Sequence, residues 1–321
     1  MRRRLYSAVF LSSVLMLSAC NGQAKEGDHT TTKVETAGSD TTKNEAVMTK
    51  KVKNLVNTFP QQPAKKIVTT SVTIAEMLDI LHITPVGLPT TAHTLPTGFE
   101  TVEKIGTAVE PDIERIVSLS PDLVIGPDSI HTSLNKKMAN TKIPAAYLPT
   151  DSYNDLKESF KALAIAQGQE QLATTYLEKL EKQEQKIIAS HDVSMKKVMI
   201  IFGSGESFML MNTTTYVGSL VEKLGATNIV AQATKSKEAY VPMNMEDVVA
   251  TNPDSILLVS HGDAEVALKQ FKTEVKKNGA WNTLSAFKTD QVAALDYKVF
   301  GYSSIVKAPQ GLAALQEIFM K

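Results

Sequence analysis

The chain reads as an α/β protein of two lobes joined by one long helix, with a ligand cleft between the lobes. Three observations carry that expectation. First, a helix-then-strand unit occurs twice, as DIERIVSLSPDLVIGPDS over Asp112–Ser129 and as NMEDVVATNPDSILLVSHGD over Asn244–Asp263. In each copy a Glu (Glu114, Glu246) opens a short amphipathic helix, and a Pro-Asp pair (Pro121-Asp122, Pro253-Asp254) stops it and launches an apolar strand. Second, the longest helical pattern, Gln169–Ser190, lies between the copies, with Leu172, Tyr176, Leu177, Leu180, Ile187 and Ile188 on one stripe; at about 1.5 Å per residue it spans roughly 30 Å. Third, 321 residues of ordinary charge and apolar content leave room for two cores. A repeated unit with a buried strand implies similar packing in each half, so both lobes are expected to be Rossmann-like.

Residues 1–19 have the order of a secretory leader. Arg2–Arg4 are basic, Leu5–Met16 is an apolar run too short to span a bilayer comfortably, and Leu17-Ser18-Ala19 precede Cys20, the only cysteine. The string LSAC resembles the lipobox of bacterial lipoproteins, which implies that Cys20 becomes the lipidated first residue of a protein tethered to the outer face of the cell membrane. The other reading is an ordinary secretory signal with an incidental Cys. Three of the 34 basic residues would leave with the leader, turning the exact balance against 34 acidic residues mildly acidic. No basic stripe remains to neutralise nucleic-acid phosphates. Residues 20–62 begin with a Thr-, Lys- and Gly-rich tract too poor in large apolar side chains to order itself, a flexible tether. Met48, Val52, Leu55, Val56 and Phe59 then recur at helical spacing, and Pro60 and Pro63 close that stretch.

The first lobe is expected over residues 63–167. Lys66–Thr70 reads as a strand; Ser71 or Thr73 caps a helix running to Leu81 with Ile74, Met77, Leu78 and Leu81 on one face. Val86–Leu88 is a second strand, Pro89–Val109 a loop holding His93, and Leu123–Ile125 and Ile143–Leu148 further strands, before a helix over Tyr153–Ala166. The linking helix occupies residues 168–192 and the second lobe 193–321. There Lys197–Phe202 is a strand followed by Gly203-Ser204-Gly205-Glu206-Ser207; Phe208 stands where a third Gly would complete a dinucleotide-binding turn, and Phe208–Met211 is extended in character, so that function is set aside. Val217–Leu224 is a helix ended by Gly225. After the second repeat come a helix over Ala264–Lys277, a strand over Gln291–Leu295 and a closing helix from about Gln310.

The second repeat ends its strand at Ser260-His261-Gly262, which puts an imidazole at a strand's carboxyl end, where open α/β sheets bind ligands. That ring is titratable near neutral pH and suits ligand contact; the plainer reading is a hydrogen-bonded or capping His. His131 follows a first-lobe strand in a similar way, and Met77 on its apolar stripe belongs to the core.

With the leader, the two α/β lobes, the linking helix and the doubled Glu…Pro-Asp units, the chain resembles the substrate-binding lipoproteins of Gram-positive ABC importers for haem, siderophores and cobalamin (class III). The likeness runs from about Lys65 to the end. Within that family, GLPTTAHTLPTGFETVEKIG (Gly87–Gly106), PDSILLVSHG (Pro253–Gly262) and VFGYSS (Val299–Ser304) are similar to the haem receptors. The resemblance implies haem as the transported ligand, an ABC permease with its ATPase as partner, upstream cell-surface haem proteins as possible donors, and no enzymatic chemistry. It implies His261 as an axial ligand of the haem iron. The family's second ligand, a Met, falls on Val109, which cannot ligate iron; His93 and His131 are candidate substitutes, and a five-coordinate iron with Val109 against the porphyrin is another.

Thr69, Thr70 and Ser71 precede a helix whose free amides suit a propionate, besides simple N-capping. Phe300 and Tyr302 offer ring contacts to a flat ligand, or pack as wall. Glu114 and Glu246 match the family's exposed permease-docking acids, one per lobe, although an acid in a first turn also favours the helix dipole. Arg115 is the one Arg beyond the leader, and that scarcity argues against an anionic siderophore needing rigid forked donors. A ferric-siderophore or cobalamin receptor is the alternative. A zinc or serine hydrolase lacks both His-Glu-x-x-His and Gly-x-Ser-x-Gly.

Overall fold

In the computed structural model the described residues are 50–321 apart from 205, 206, 276 and 278. The leader, Cys20 and most of the tether therefore lie outside the described residues, as does the middle of the Gly203–Ser207 turn.

Helix α1 covers residues 50–56, and Phe59 beyond it is buried. Strand β1 (Ile67–Thr69) leads into α2 (Val72–Ile80), whose N-cap Ser71 accepts from the amide of Ile74. Ile74, Met77 and Leu78 on α2 are fully buried, each worth about 1.5–3 kcal/mol as an upper bound. Next come β2 (Gly87–Leu88), β3 (Glu103–Lys104), α3 (Ile113–Ser118, capped by Asp112), β4 (Leu123–Pro127), α4 (His131–Met138), β5 (Ala145–Leu148) and α5 (Tyr153–Ala166). The strands form one sheet in the order β3-β2-β1-β4-β5, every pair parallel. Two elements differ from the sequence reading. β3 sits inside the stretch expected to be loop, and α4 was not foreseen: its sequence HTSLNKKM offers only Leu134 and Met138 to the core, too few for an apolar period.

Helix α6 (Glu170–Ser190) follows Gly168, which adopts φ +67°. Its buried face carries Ala173, Leu177, Leu180 and Glu184. Glu184, 1% exposed, accepts from the Tyr153 hydroxyl of α5 and pairs with Lys157 (3.5 Å) and Lys223 (2.7 Å). A buried carboxylate is tolerable only with such partners.

The second sheet is built on β6 (Lys197–Ser204). It continues through β7 (Ser207–Met211), α7 (Tyr216–Lys223), β8 (Thr227–Asn228), α8 (Val230–Thr234), β9 (Tyr240–Pro242), α9 (Met245–Thr251), β10 (Ser255–Val259), α10 (Ala264–Val275), α11 (Ser285–Lys288), β11 (Val292–Ala294), α12 (Tyr297–Phe300) and α13 (Ala308–Met320). Its order is β11-β10-β6-β7-β9, with β8 also on β6. β10, β11 and β8 run parallel to their neighbours, whereas β7 and β9 are antiparallel. Ser204 pairs with Ser207; so short a connection permits only an antiparallel return, which makes this lobe a mixed variant of the Rossmann-like arrangement. One apolar cluster runs from Ile67, Ile74 and Phe160 through Leu177 and Leu180 to Leu220, Leu312 and Phe319, so α6 is packed into the core and not a bare strut.

Candidate ligand cleft

The carboxyl ends of β6 and β10 present Phe202 and, just past Val259, His261. The His261 ring meets Phe202 edge-on at 5.7 Å and Tyr297, at the start of α12, at 5.0 Å. His261 Nδ1 lies 2.7 Å from the Tyr297 hydroxyl. Although His261 is exposed by area, its ring is fixed by that bond and by two aromatic neighbours. The first-lobe loop brings His93 to the same place: its ring is 5.4 Å from Tyr297 and 4.5 Å from Tyr302. Burial, then the charges of Lys307 and His261, hold the His93 imidazole below its usual pKa and favour the neutral ring. Tyr297 thus touches both histidines.

Two cavities open here. An aromatic chamber of about 110 Å³ is lined by Phe202, Tyr216, Tyr240, Phe300 and Tyr302 among others, with Asp151 the charged residue on its wall. Burial, with Asp155 and Asp128 nearby, raises the Asp151 carboxyl above its ordinary range. The second chamber, about 200 Å³, is lined by the hydroxyl-bearing residues Thr70, Ser71, Thr73, Thr90 and Thr91, largely through their apolar atoms, together with His93 and Tyr302. It lies at the amino end of α2, and the buried Thr70 hydroxyl has no hydrogen-bond partner among the described residues.

Of the residues singled out from sequence, Thr70, Ser71, His93, Phe300 and Tyr302 fall on these walls. Val109 does not line either chamber: it is 64% exposed, while its neighbour Ala108 faces the hydroxyl chamber. Gly106, at φ +89°, and Pro111 pair across that loop, and Lys137 Nζ donates to the Val109 carbonyl, which fixes the loop with Val109 outward. His131 is directed elsewhere, against Tyr147 (4.1 Å) and near Asp128 and Asn135. Met77 is fully buried in the core. Glu114 and Glu246 stand exposed in the first turns of α3 and α9. Arg115 is engaged by Glu103 (3.2 Å), Asp112 (3.3 Å) and the Lys104 carbonyl.

Two residues of this region escaped the sequence reading. Tyr297 carried no signal. Glu76 had one, since it is the single acid among VTIAEM on the apolar start of α2. It is 6% exposed and accepts from the Tyr302 hydroxyl and from Ser304 Oγ, each at 2.7 Å. Burial pushes its carboxyl above the usual range, against those two bonds and the Lys307 charge. Among the described residues no group of three or more His, Cys, Asp or Glu is placed to hold a metal ion, and no helix is long and apolar enough to cross a membrane.

The periplasmic binding protein family matches residues 67–299. Over 258 residues the chain is 29% identical to the high-affinity heme uptake system protein IsdE of Staphylococcus aureus (strain MRSA252), covering 80% of this chain and 87% of IsdE. It is similar to the crystal structure of an ABC transporter substrate-binding protein from Listeria monocytogenes EGD-e, with TM-score 0.72, 28% identity and coverage of 80% and 98%. S. aureus IsdE complexed with heme gives TM-score 0.71, 28% identity and coverage of 80% and 99%. The triscatecholate siderophore binding protein FeuA of Bacillus subtilis, complexed with Ferri-Bacillibactin, shares the fold at TM-score 0.65 and 22% identity, with coverage of 82% and 95%.

Proposed function

The chain belongs to the periplasmic binding protein family, and on that premise we propose that it captures haem in the cleft and delivers it, chemically unchanged, to an ABC permease. Its place as the substrate-binding protein of an ABC importer rests on the family match and on the Listeria and S. aureus relatives. Haem is the finer step. The observation that carries it is the pair of imidazoles on either lobe's side of Tyr297. In the tautomer whose Nδ1–H donates to the Tyr297 hydroxyl, 2.7 Å away, Nε2 of His261 carries the lone pair an iron ligand needs, and no other partner meets it among the described residues. His93, kept neutral by its surroundings, would take the opposite axial position that Val109 cannot fill.

The rest of the cleft agrees in chemistry. A macrocycle brings its own equatorial nitrogens, so two protein ligands suffice where a bare ion would need more. The aromatic chamber offers faces for a flat ring. Asp151 would repel propionates at that end, while the α2 amino terminus would receive them at the other. Arg115, the guanidinium a siderophore site would use, is already occupied by two carboxylates. In the same proposal Cys20 anchors the protein by lipid, Glu114 and Glu246 dock on the permease that its ATPase drives, and cell-surface haem proteins supply the cargo.

Titration of the purified protein with haemin should give a sharpened, shifted Soret band, and His93→Ala should convert a six-coordinate spectrum to a five-coordinate one. Absence of any haem-dependent spectrum, alongside tight binding of a ferric siderophore, would replace haem by the siderophore reading.

A further inference from the structure

The two chambers share one lining residue, Tyr302. Its ring lies against His93 on one side and under the Lys307 ammonium, 4.7 Å from the ring centre. What fixes it is α2. Glu76 Oε1 accepts from the Tyr302 hydroxyl and Oε2 from Ser304 Oγ, both at 2.7 Å. One turn earlier the Thr73 hydroxyl donates to the Ser303 carbonyl at 2.6 Å. Residues 302–304, which belong to the second-lobe side, are therefore stitched to a first-lobe helix by three side-chain bonds, at a point between the cavities.

We propose that Glu76 is the positioning residue of the cleft: its carboxylate clasps Tyr302 and Ser304 so that Tyr302 stands as a removable partition, and a large flat ligand enters only when that clasp lets go. A planar ligand held at a ring nitrogen of His93 would lie beside Tyr302, whose ring is 4.5 Å from the imidazole. A ligand reaching from the hydroxyl chamber to the aromatic chamber must also cross the line Tyr302 occupies. The clasp is strong because both oxygens of one buried carboxyl group are engaged and shielded from water. It also selects: small solutes fit one chamber without disturbing it, whereas only a ligand that gains contacts in both can offset its release. A binding-competent state populated in part lowers the apparent affinity by its fraction, so loosening the clasp should speed capture.

This inference rests on the haem reading of the cleft, and the experiment separates the two. Tyr302→Phe keeps the ring and deletes one bond; Ser304→Ala deletes the other, together with the bond that Ser304 Oγ accepts from the Lys307 amide, and serves should the first variant fold poorly. Amide hydrogen exchange of residues 301–305 in the ligand-free protein is expected to rise roughly tenfold, the equivalent of one lost bond to a charged acceptor. The haemin association rate should rise by a similar factor, with dissociation changed less. Tyr153→Phe, which breaks the more deeply buried Tyr153–Glu184 pair on α5 and α6, should leave exchange at 301–305 and haemin association as in the wild type. Unchanged exchange at 301–305 in both clasp variants overturns the proposal, as does faster exchange with an unaltered haemin association rate. Failure of the wild type to bind haemin at all would remove the haem reading, while the exchange measurement would still decide whether the clasp exists.

Discussion

The two copies of the helix-turn-strand unit share their turn and strand-opening geometry until the strand ends, and then part. Ser120 and Asn252, at matching positions, both take the left-handed conformation (φ 48° and 43°) that stops α3 and α9. Asp122 and Asp254 both turn their carboxylates onto the amides that open the central strands, Asp122 onto Lys65 and Lys66, Asp254 onto Lys197. Both backbones return a bond as well, from Asp122 N to the Lys66 carbonyl and from Asp254 N to the Lys197 carbonyl. Beyond β4 the chain enters a tight turn and α4, taking His131 onto Tyr147; beyond β10 it leaves His261 on Tyr297, across from His93. Duplicated geometry thus builds the frame, and in the proposed reading the unduplicated residues past the strand ends would carry the ligand chemistry. A functional site on this fold is best sought where the copies stop matching.

The largest effect should fall on that divergence. His261→Ala is expected to weaken haemin binding by more than the ~10–100-fold typical of losing an outer-shell partner, while His131→Ala leaves it unchanged, both read from Soret titrations. Equal losses in the two variants would erase the distinction between the copies. The partners sharpen it further. Tyr297→Phe frees Nδ1 of His261 and should cost roughly tenfold in haemin affinity, whereas Tyr147→Phe, which alters the neighbour of His131, should have no effect on the spectrum.

How much of this was legible in the sequence follows from how local each cause is. The doubled Pro-Asp, the α5 start at Tyr153 with its Ser152–Asp155 capping box, and the α6 start after Gly168 were all readable, because a cap or a breaker acts within a few residues. Strand β3 was not: it exists because Gly87 and Leu88 of β2 accept Glu103 and Lys104 as neighbours, a tertiary event. The cleft divides in the same way. Thr70 and Ser71 announce themselves by preceding a helix, and His261 by following a strand. Tyr297 meets His261 across 36 positions, and Glu76 meets Tyr302 and Ser304 across 226 and 228. No periodicity reports partners at that distance. Val109 shows the opposite limit, since a position matched by resemblance still depends on where its loop is held.

The smallest effect tests the shared frame. Asp122 accepts two backbone amides, and those bonds hold its carboxyl below the usual Asp value. A folded-state pKa lowered in this way stabilises the protein above the unfolded-chain value, about pH 4. That contribution is lost as pH falls through the lowered folded-state value, because the protonated acid accepts the amides poorly. Asp122→Ala should therefore lower the thermal midpoint modestly at neutral pH, and its curve should converge on that of the wild type as the medium becomes acid. Asp254→Ala, which loses one side-chain bond where Asp122→Ala loses two, should shift the midpoint in the same direction by less. A neutral-pH midpoint that moves for one variant alone would mean that the two carboxylates, for all their matching geometry, do not share the work of seating the central strands.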